Sequence, residues 1–108
     1  MFNLDLKDKV ILITGGSDGL GYASAELLSS EGAKVIICGR RGDYLNEKAK
    51  TISEKTNNNV LAIQADVSKA EDCKRLVEET ISKFKKIDIL VNNAGASAAA
   101  LFEDVSDK

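Results

Sequence analysis

The chain has 108 residues, enough for one small domain, and 44% of them are hydrophobic, a share suited to a packed core rather than to disorder. Its formal net charge of −2, with both signs interspersed, argues against a nucleic-acid-binding or polybasic membrane surface. The start, "MFNLDLKDKV", lacks the pattern of a secretory signal and no apolar run approaches the ~18–20 residues of a membrane span, so the chain reads as cytoplasmic with no membrane partner.

The first apolar run, Val10–Thr14, is branched and too short for a helix, which suits a strand buried on both faces. "TGGSDGLG" follows at residues 14–21, and a first helix is expected from about Leu20 to Ser30, stopped by Gly32. A second run, Val35–Cys38, precedes a helix over about Asp43 to Lys55, with Leu45, Ala49 and Ile52 on one stripe. "KTNNN" at 55–59 is a turn, and Val60–Ala65 is a third strand. Ala70, Cys73, Leu76, Val77, Ile81 and Phe84 recur at helical spacing over about Lys69 to Phe84, and "SKAE" predicts a capping box between Ser68 and Glu71. The run Ile87–Asn92 is a fourth strand. Strands alternating with helices predict right-handed crossovers and a parallel α/β sheet. Cys38 and Cys73 read as small buried hydrophobes; without histidine or closely spaced ligands there is no metal site.

Four glycines, Gly15, Gly16, Gly19 and Gly21, span the junction of the first strand and the first helix. A strand that turns through glycines onto a helix tip is a phosphate-binding arrangement, because the first helical N–H groups lack partners and carry the positive end of the helix dipole. Gly15 would make the turn, Gly19 would admit the phosphates to the backbone, and Gly21 would let the helix pack close. The bland alternative is an ordinary glycine turn. The spacing Gly-x-x-x-Gly-x-Gly is neither the commoner Gly-x-Gly-x-x-Gly nor a Walker loop.

With these motifs in order the sequence resembles the short-chain dehydrogenase/reductase family. "TGGSDGLG" (14–21) matches its glycine motif, "NNAG" (92–95) ends the fourth strand, and "ADV" (65–67) follows the third. The lead-in "LKDKVILITGG" and the run "KIDILVNNAG" are similar to that family too. The resemblance implies a Rossmann-like sheet, βαβαβαβ in the order 3-2-1-4, with two helices on one face and the third on the other. It also implies a nicotinamide dinucleotide held by Gly15, Gly16, Ser17, Asp18, Gly19, Leu20 and Gly21 around the phosphates and adenosine ribose. Asp66 would meet the adenine amino group and Val67 the ring edge. Asn93, Ala94 and Gly95 would lie along the ribose side, while Asn92 braces the central strands. From the residue alone, a turn or capping carboxylate is the favoured reading of Asp66, and the motif context reverses it.

The choice of dinucleotide turns on the end of the second strand. An acid about 20 residues past the glycines holds a ribose 2′-OH, whereas an arginine there accommodates a 2′-phosphate. "IICGRR" puts Gly39 at that place, followed by Arg40 and Arg41, so NADP(H) is expected over NAD(H). The alternative is that both arginines are solvated loop charges. Asp18 dissents, since a carboxylate near the 2′-phosphate would repel it.

The family's hydride transfer acts on a carbonyl or alcohol and uses a Tyr-x-x-x-Lys pair with a Ser and an Asn, all beyond the "NNAG" motif. An unperturbed tyrosine titrates near ~10 and needs such a neighbour. This chain has two tyrosines, Tyr22 and Tyr44. Tyr44 and Lys48 have the right spacing but fall on the adenosine side, where they read as one helix face. No catalytic residue is assigned. The expectation is a truncated half of a doubly wound fold over residues 1–108, an NADP-binding partial domain inactive by itself, whose small carbonyl or alcohol substrate belongs to a longer parent. The alternative is a noncatalytic half-fold that binds a nucleotide or a partner. Its open, apolar fourth strand would favour self-association.

Overall fold

Short runs of branched aliphatic residues cannot hide themselves in a helix of five residues, and here they form a parallel sheet closed in by three helices. The computed structural model describes residues 5–16 and 19–93. Their order is β1 (Val10–Thr14), α1 (Gly19–Ser30), β2 (Lys34–Gly39), α2 (Gly42–Thr56), β3 (Leu61–Gln64), α3 (Ala70–Phe84) and β4 (Ile89–Asn92). All three pairings are parallel, and the strand order is β3-β2-β1-β4. The expected α/β topology is therefore present, with β1 in the interior of the sheet. The possible helix start after residue 95 lies outside the described residues.

Alternate residues of β1 and β2 feed two cores. Ile11, Ile13, Val35 and Ile37 pack with Ala25 of α1 and with Leu45, Ala49 and Ile52 of α2. On the opposite face Val10, Leu12, Ile36 and Cys38 pack with Cys73 and Leu76 of α3. Two helices thus cover one face and one the other. Burial pushes the Cys38 thiol up to about 12, so it sits in the core as a neutral, apolar group.

The helix ends follow local chemistry. Gly32 closes α1 with a Schellman pair, its N–H donating to Ser29 and that of Ala33 to Leu28. Asn57, left-handed at φ 55°, closes α2 inside the expected turn. The start of α3 departs from expectation. Its N-cap is Lys69, with no side-chain cap, so the Ser68–Glu71 capping box does not form. Ser68 is drawn away instead: its N–H and Oγ both donate to Asp66 Oδ1, at 3.0 and 2.6 Å. A carboxylate two residues back offers a charge-assisted acceptor that competes with the helix amide.

The amino end of β4 is fastened to β1 by Asp88. Its Oδ2 accepts from the Val10 N–H at 2.8 Å and its own N–H donates to the Val10 carbonyl at 2.9 Å. The Val10 amide and the Lys86 ammonium beside it hold this carboxyl below the usual carboxylate range. β4 is the thinly covered strand, with Ile89 39% and Leu90 38% exposed.

Candidate functional site

At the carboxyl end of β1 the backbone must reverse within a few residues, and the glycines divide that work. Gly15 is left-handed at φ 68° and Gly19 at φ 55°, conformations that cost a side-chain-bearing residue roughly 1–2 kcal/mol. Gly16 is buried, and a Cβ on it would stand 2.5 Å from Ile37 Cγ2, so its bareness seats the turn on β2. Gly21 lets α1 press onto the turn, since a Cβ there would strike the Gly15 carbonyl oxygen and come 2.5 Å from Asn93 Nδ2. Gly19 differs from both: among the described residues nothing stands within 4 Å of where its Cβ would be. Bare backbone, at a helix tip, thus faces open space. Leu20 beside it is 75% exposed, the most exposed of the large hydrophobic residues described. Ser17 and Asp18 lie outside the described residues.

A polar knot fixes this turn against β4. Thr14 is fully buried, and its Oγ1 donates to Asn92 Oδ1 at 3.0 Å while accepting from the Asn93 N–H at 2.9 Å. Asn92 therefore ties the edge strand β4 to β1, and Asn93 is brought against Gly15 and Gly21. Ala94 and Gly95 lie outside the described residues.

The ends of β2 and β3 supply the other wall. The Gly15 N–H donates to the Cys38 carbonyl and the Ala65 N–H to the Gly39 carbonyl, so three strand ends are laced in one row. Beyond them Arg40 and Asp66 line one groove with Gln64, Ala65, Asp72 and Arg75. The hydrogen bonds from Ser68 are the main cause that lowers the Asp66 carboxyl, and the nearby Arg40 charge adds to it. Asp66 is thus a turn carboxylate through Oδ1, with Oδ2 unengaged among the described residues. Its backbone N–H donates to Asp72 Oδ2 at 2.7 Å, which steadies the turn leading to the half-buried Val67.

Arg41 takes another direction. Its guanidinium lies 4.3 Å from the centroid of the Tyr44 ring, and Lys48 Nζ lies 5.1 Å from that ring and 5.3 Å from the ring of Tyr22. Gln64 Nε2 donates to the Arg40 carbonyl at 2.8 Å and holds the same loop from the β3 side. Sequence reasoning missed Gln64, Asp72 and the aromatic support for Arg41. Only the paired spacing of Tyr44 and Lys48 signalled any of them.

A parallel sheet in this order, with a glycine turn and helix tip at the carboxyl ends of its strands, defines the chain as a Rossmann-like α/β unit. The chain belongs to the short-chain dehydrogenase family, whose model matches residues 9–108. It is 41% identical over 107 residues to the 11-beta-hydroxysteroid dehydrogenase 1A of Arabidopsis thaliana, spanning 99% of this chain and 31% of that relative. Among solved structures it is similar to L-sorbose reductase from Gluconobacter frateurii, complexed with NADPH and L-sorbose, at 41% identity and a TM-score of 0.80. That match covers 86% of this chain and 36% of the reductase. It is also similar to an NADH-dependent reductase complexed with NAD, at 26% identity and a TM-score of 0.82, over 94% of this chain and 51% of that one. The chain therefore spans about a third of the length of the curated relatives it matches.

Proposed function

We propose that residues 1–108 form the NADP(H)-binding portion of a short-chain oxidoreductase that moves hydride between nicotinamide and a carbonyl or alcohol. The observation that carries this reading is the bare, left-handed backbone at Gly19, on a helix tip at the carboxyl end of β1, whose neighbour β2 runs into two arginines. The pyrophosphate would lie against Gly15, Ser17, Gly19 and Gly21, with Leu20 over the adjoining ribose. Asp66 Oδ2 would accept from the adenine amino group, and Val67 would meet the ring. Asn93, Ala94 and Gly95 would flank the ribose on the β4 side. When bound, the reduced dinucleotide supplies the hydride; the chain's own residues bind it, orient it and lend it no acid or base.

Arg40 and Arg41 support NADP(H) over NAD(H), because a guanidinium fork matches a phosphate and no acid stands at Gly39. Titration of the chain is expected to give a dissociation constant for NADPH at least about tenfold below that for NADH, a difference of about 1.4 kcal/mol. Equal or tighter NADH binding would refute the preference. In the same samples no carbonyl substrate is expected to drive steady NADPH oxidation by these 108 residues alone.

A second reading, a half-fold that meets a partner through β4, is favoured by the exposed Ile89 and Leu90. The partner would be another copy, paired edge to edge. Sedimentation over a rising concentration series should then show association that Leu90→Lys weakens. A monomer at every concentration would sink it.

A further inference from the structure

β3 is the terminal strand of the described sheet, and among the described residues no strand lies beyond it. The Ala65 N–H donates to the Gly39 carbonyl of β2, which fixes the parity of the strand. Backbone groups alternate in direction from residue to residue, so the N–H and C=O of Ala62 and Gln64, and the N–H of Asp66, point away from β2. Grooves open on both sides of this rim, one against α3 and one against α2, and Ala62 borders both. An unpaired row of this kind is a ready template for another strand.

Side chains already occupy its two ends. At the carboxyl end Arg75 Nη2 donates to the Gln64 carbonyl and Asp72 Oδ2 accepts from the Asp66 N–H, each at 2.7 Å. The two side chains lie 3.9 Å apart, and Glu79 steadies the guanidinium from the next turn of α3 at 3.3 Å. At the amino end Ser53 Oγ accepts from the Val60 N–H at 2.8 Å. The Gln64 carbonyl and the Asp66 N–H are the two groups that one residue of a parallel neighbour would engage, its N–H meeting the first and its C=O the second. An antiparallel neighbour would need the Gln64 carbonyl as well.

We infer that Arg75 and Asp72 close the outer rim of β3 to a second copy of the chain, standing in for the peptide group of the strand that would otherwise add there. A second copy presents the same rim, and two identical rims pair antiparallel about a twofold axis. An incoming strand must first displace charge-assisted bonds from the carbonyl and the amide it needs. The stretch left between the occupied ends, around Ala62, is shorter than strands ordinarily are. The two rims of the described sheet are thus unlike: β3 is strapped by charged side chains, whereas β4 shows Ile89 and Leu90 to solvent.

Sedimentation velocity of the full chain across a concentration series is the test. Arg75→Ala is expected to associate at concentrations about fivefold to tenfold below those of the wild type, the worth of one backbone hydrogen bond released for pairing. Ala62→Pro deletes an outward N–H, a change a terminal strand tolerates, and is expected to return the Arg75→Ala chain to wild-type behaviour. Leu90→Lys on β4 is expected to leave the gain intact. Lys83→Ala removes an equal charge from the same groove without touching the rim and is expected to change nothing. Arg75→Ala associating no more readily than the wild type overturns the inference. So does a gain that survives Ala62→Pro, that Leu90→Lys abolishes, or that Lys83→Ala reproduces. Should thermal unfolding show the fold lost in Arg75→Ala, Asp72→Ala carries the same series, and association unchanged from the wild type overturns the inference. Should Ala62→Pro lose the fold, hydrogen exchange at the Ala62 amide takes its place: association through β3 slows that amide, and association that leaves it unslowed overturns the inference.

Discussion

Gly21→Ala is expected to lower NADPH affinity by at least about tenfold, or about 1.4 kcal/mol, and to destabilise the chain by about 1–3 kcal/mol. The added methyl would strike the Gly15 carbonyl oxygen and stand 2.9 Å from the Gly15 carbonyl carbon. Those neighbours are backbone, and they belong to the turn that shapes the site. To admit one methyl group, α1 must rise off that turn and carry the Gly19 backbone with it. The Asn93 side chain, 2.5 Å away, would be displaced too, and Asn93 is tied through its N–H to Thr14. Gly19→Ala is the contrasting case. It meets no atom of the described residues within 4 Å, so its cost is expected from the left-handed backbone and from the methyl entering the space proposed for the phosphates. Calorimetric titration with thermal unfolding reads both variants. Native affinity and native stability in Gly21→Ala would remove the steric argument.

Arg40→Asp is expected to reverse the cofactor preference, by about two orders of magnitude in the ratio of NADPH to NADH affinity. The arginine's charge-assisted hydrogen bonds to a 2′-phosphate are worth about 1.5–3 kcal/mol, and a carboxylate in its place repels the phosphate outright. That carboxylate can also accept from a ribose 2′-OH, the acid's role in NAD sites. Arg40→Gln separates the two effects, losing NADPH affinity without gaining NADH. Arg40→Asp also removes one of the charges that lower the Asp66 carboxyl and sets a second carboxylate near it. Competitive binding of the two dinucleotides is the measurement, and an unmoved ratio would leave Arg40 a solvated loop charge.

What the sequence disclosed and what it withheld divide along chain separation. Val10–Thr14 was readable because both of its faces are buried, which leaves an unbroken apolar run. The helices were readable because Leu45, Ala49 and Ile52, or Cys73 and Leu76, repeat within a few residues. Strand ends slipped by a residue or two: Val60 and Ala65 are buried yet lie outside β3, since apolar flanks are covered whether or not they pair. The capping box was misread because Asp66 competes for Ser68, a contest visible only once the turn exists. The Thr14 knot joins residues 78 and 79 positions apart, and the Gln64 bond to Arg40 spans 24, distances no local pattern encodes. The glycine spacing announced the turn, but not that Gly16 serves packing while Gly19 alone stays uncovered.

The place of β1 bears on how such a chain is made. It is the first of the described strands, and it is flanked by β2 on one side and by β4, the last of them, on the other. During synthesis its first flank can be satisfied early, while its second must wait for residues some 78 positions downstream. Closing so long a loop is slow, and contacts of this span form late. Until the segment from Asp88 onward leaves the ribosome, the apolar centre of the sheet is an unguarded rim, and the nascent polypeptide is then most open to chaperones and to mispairing.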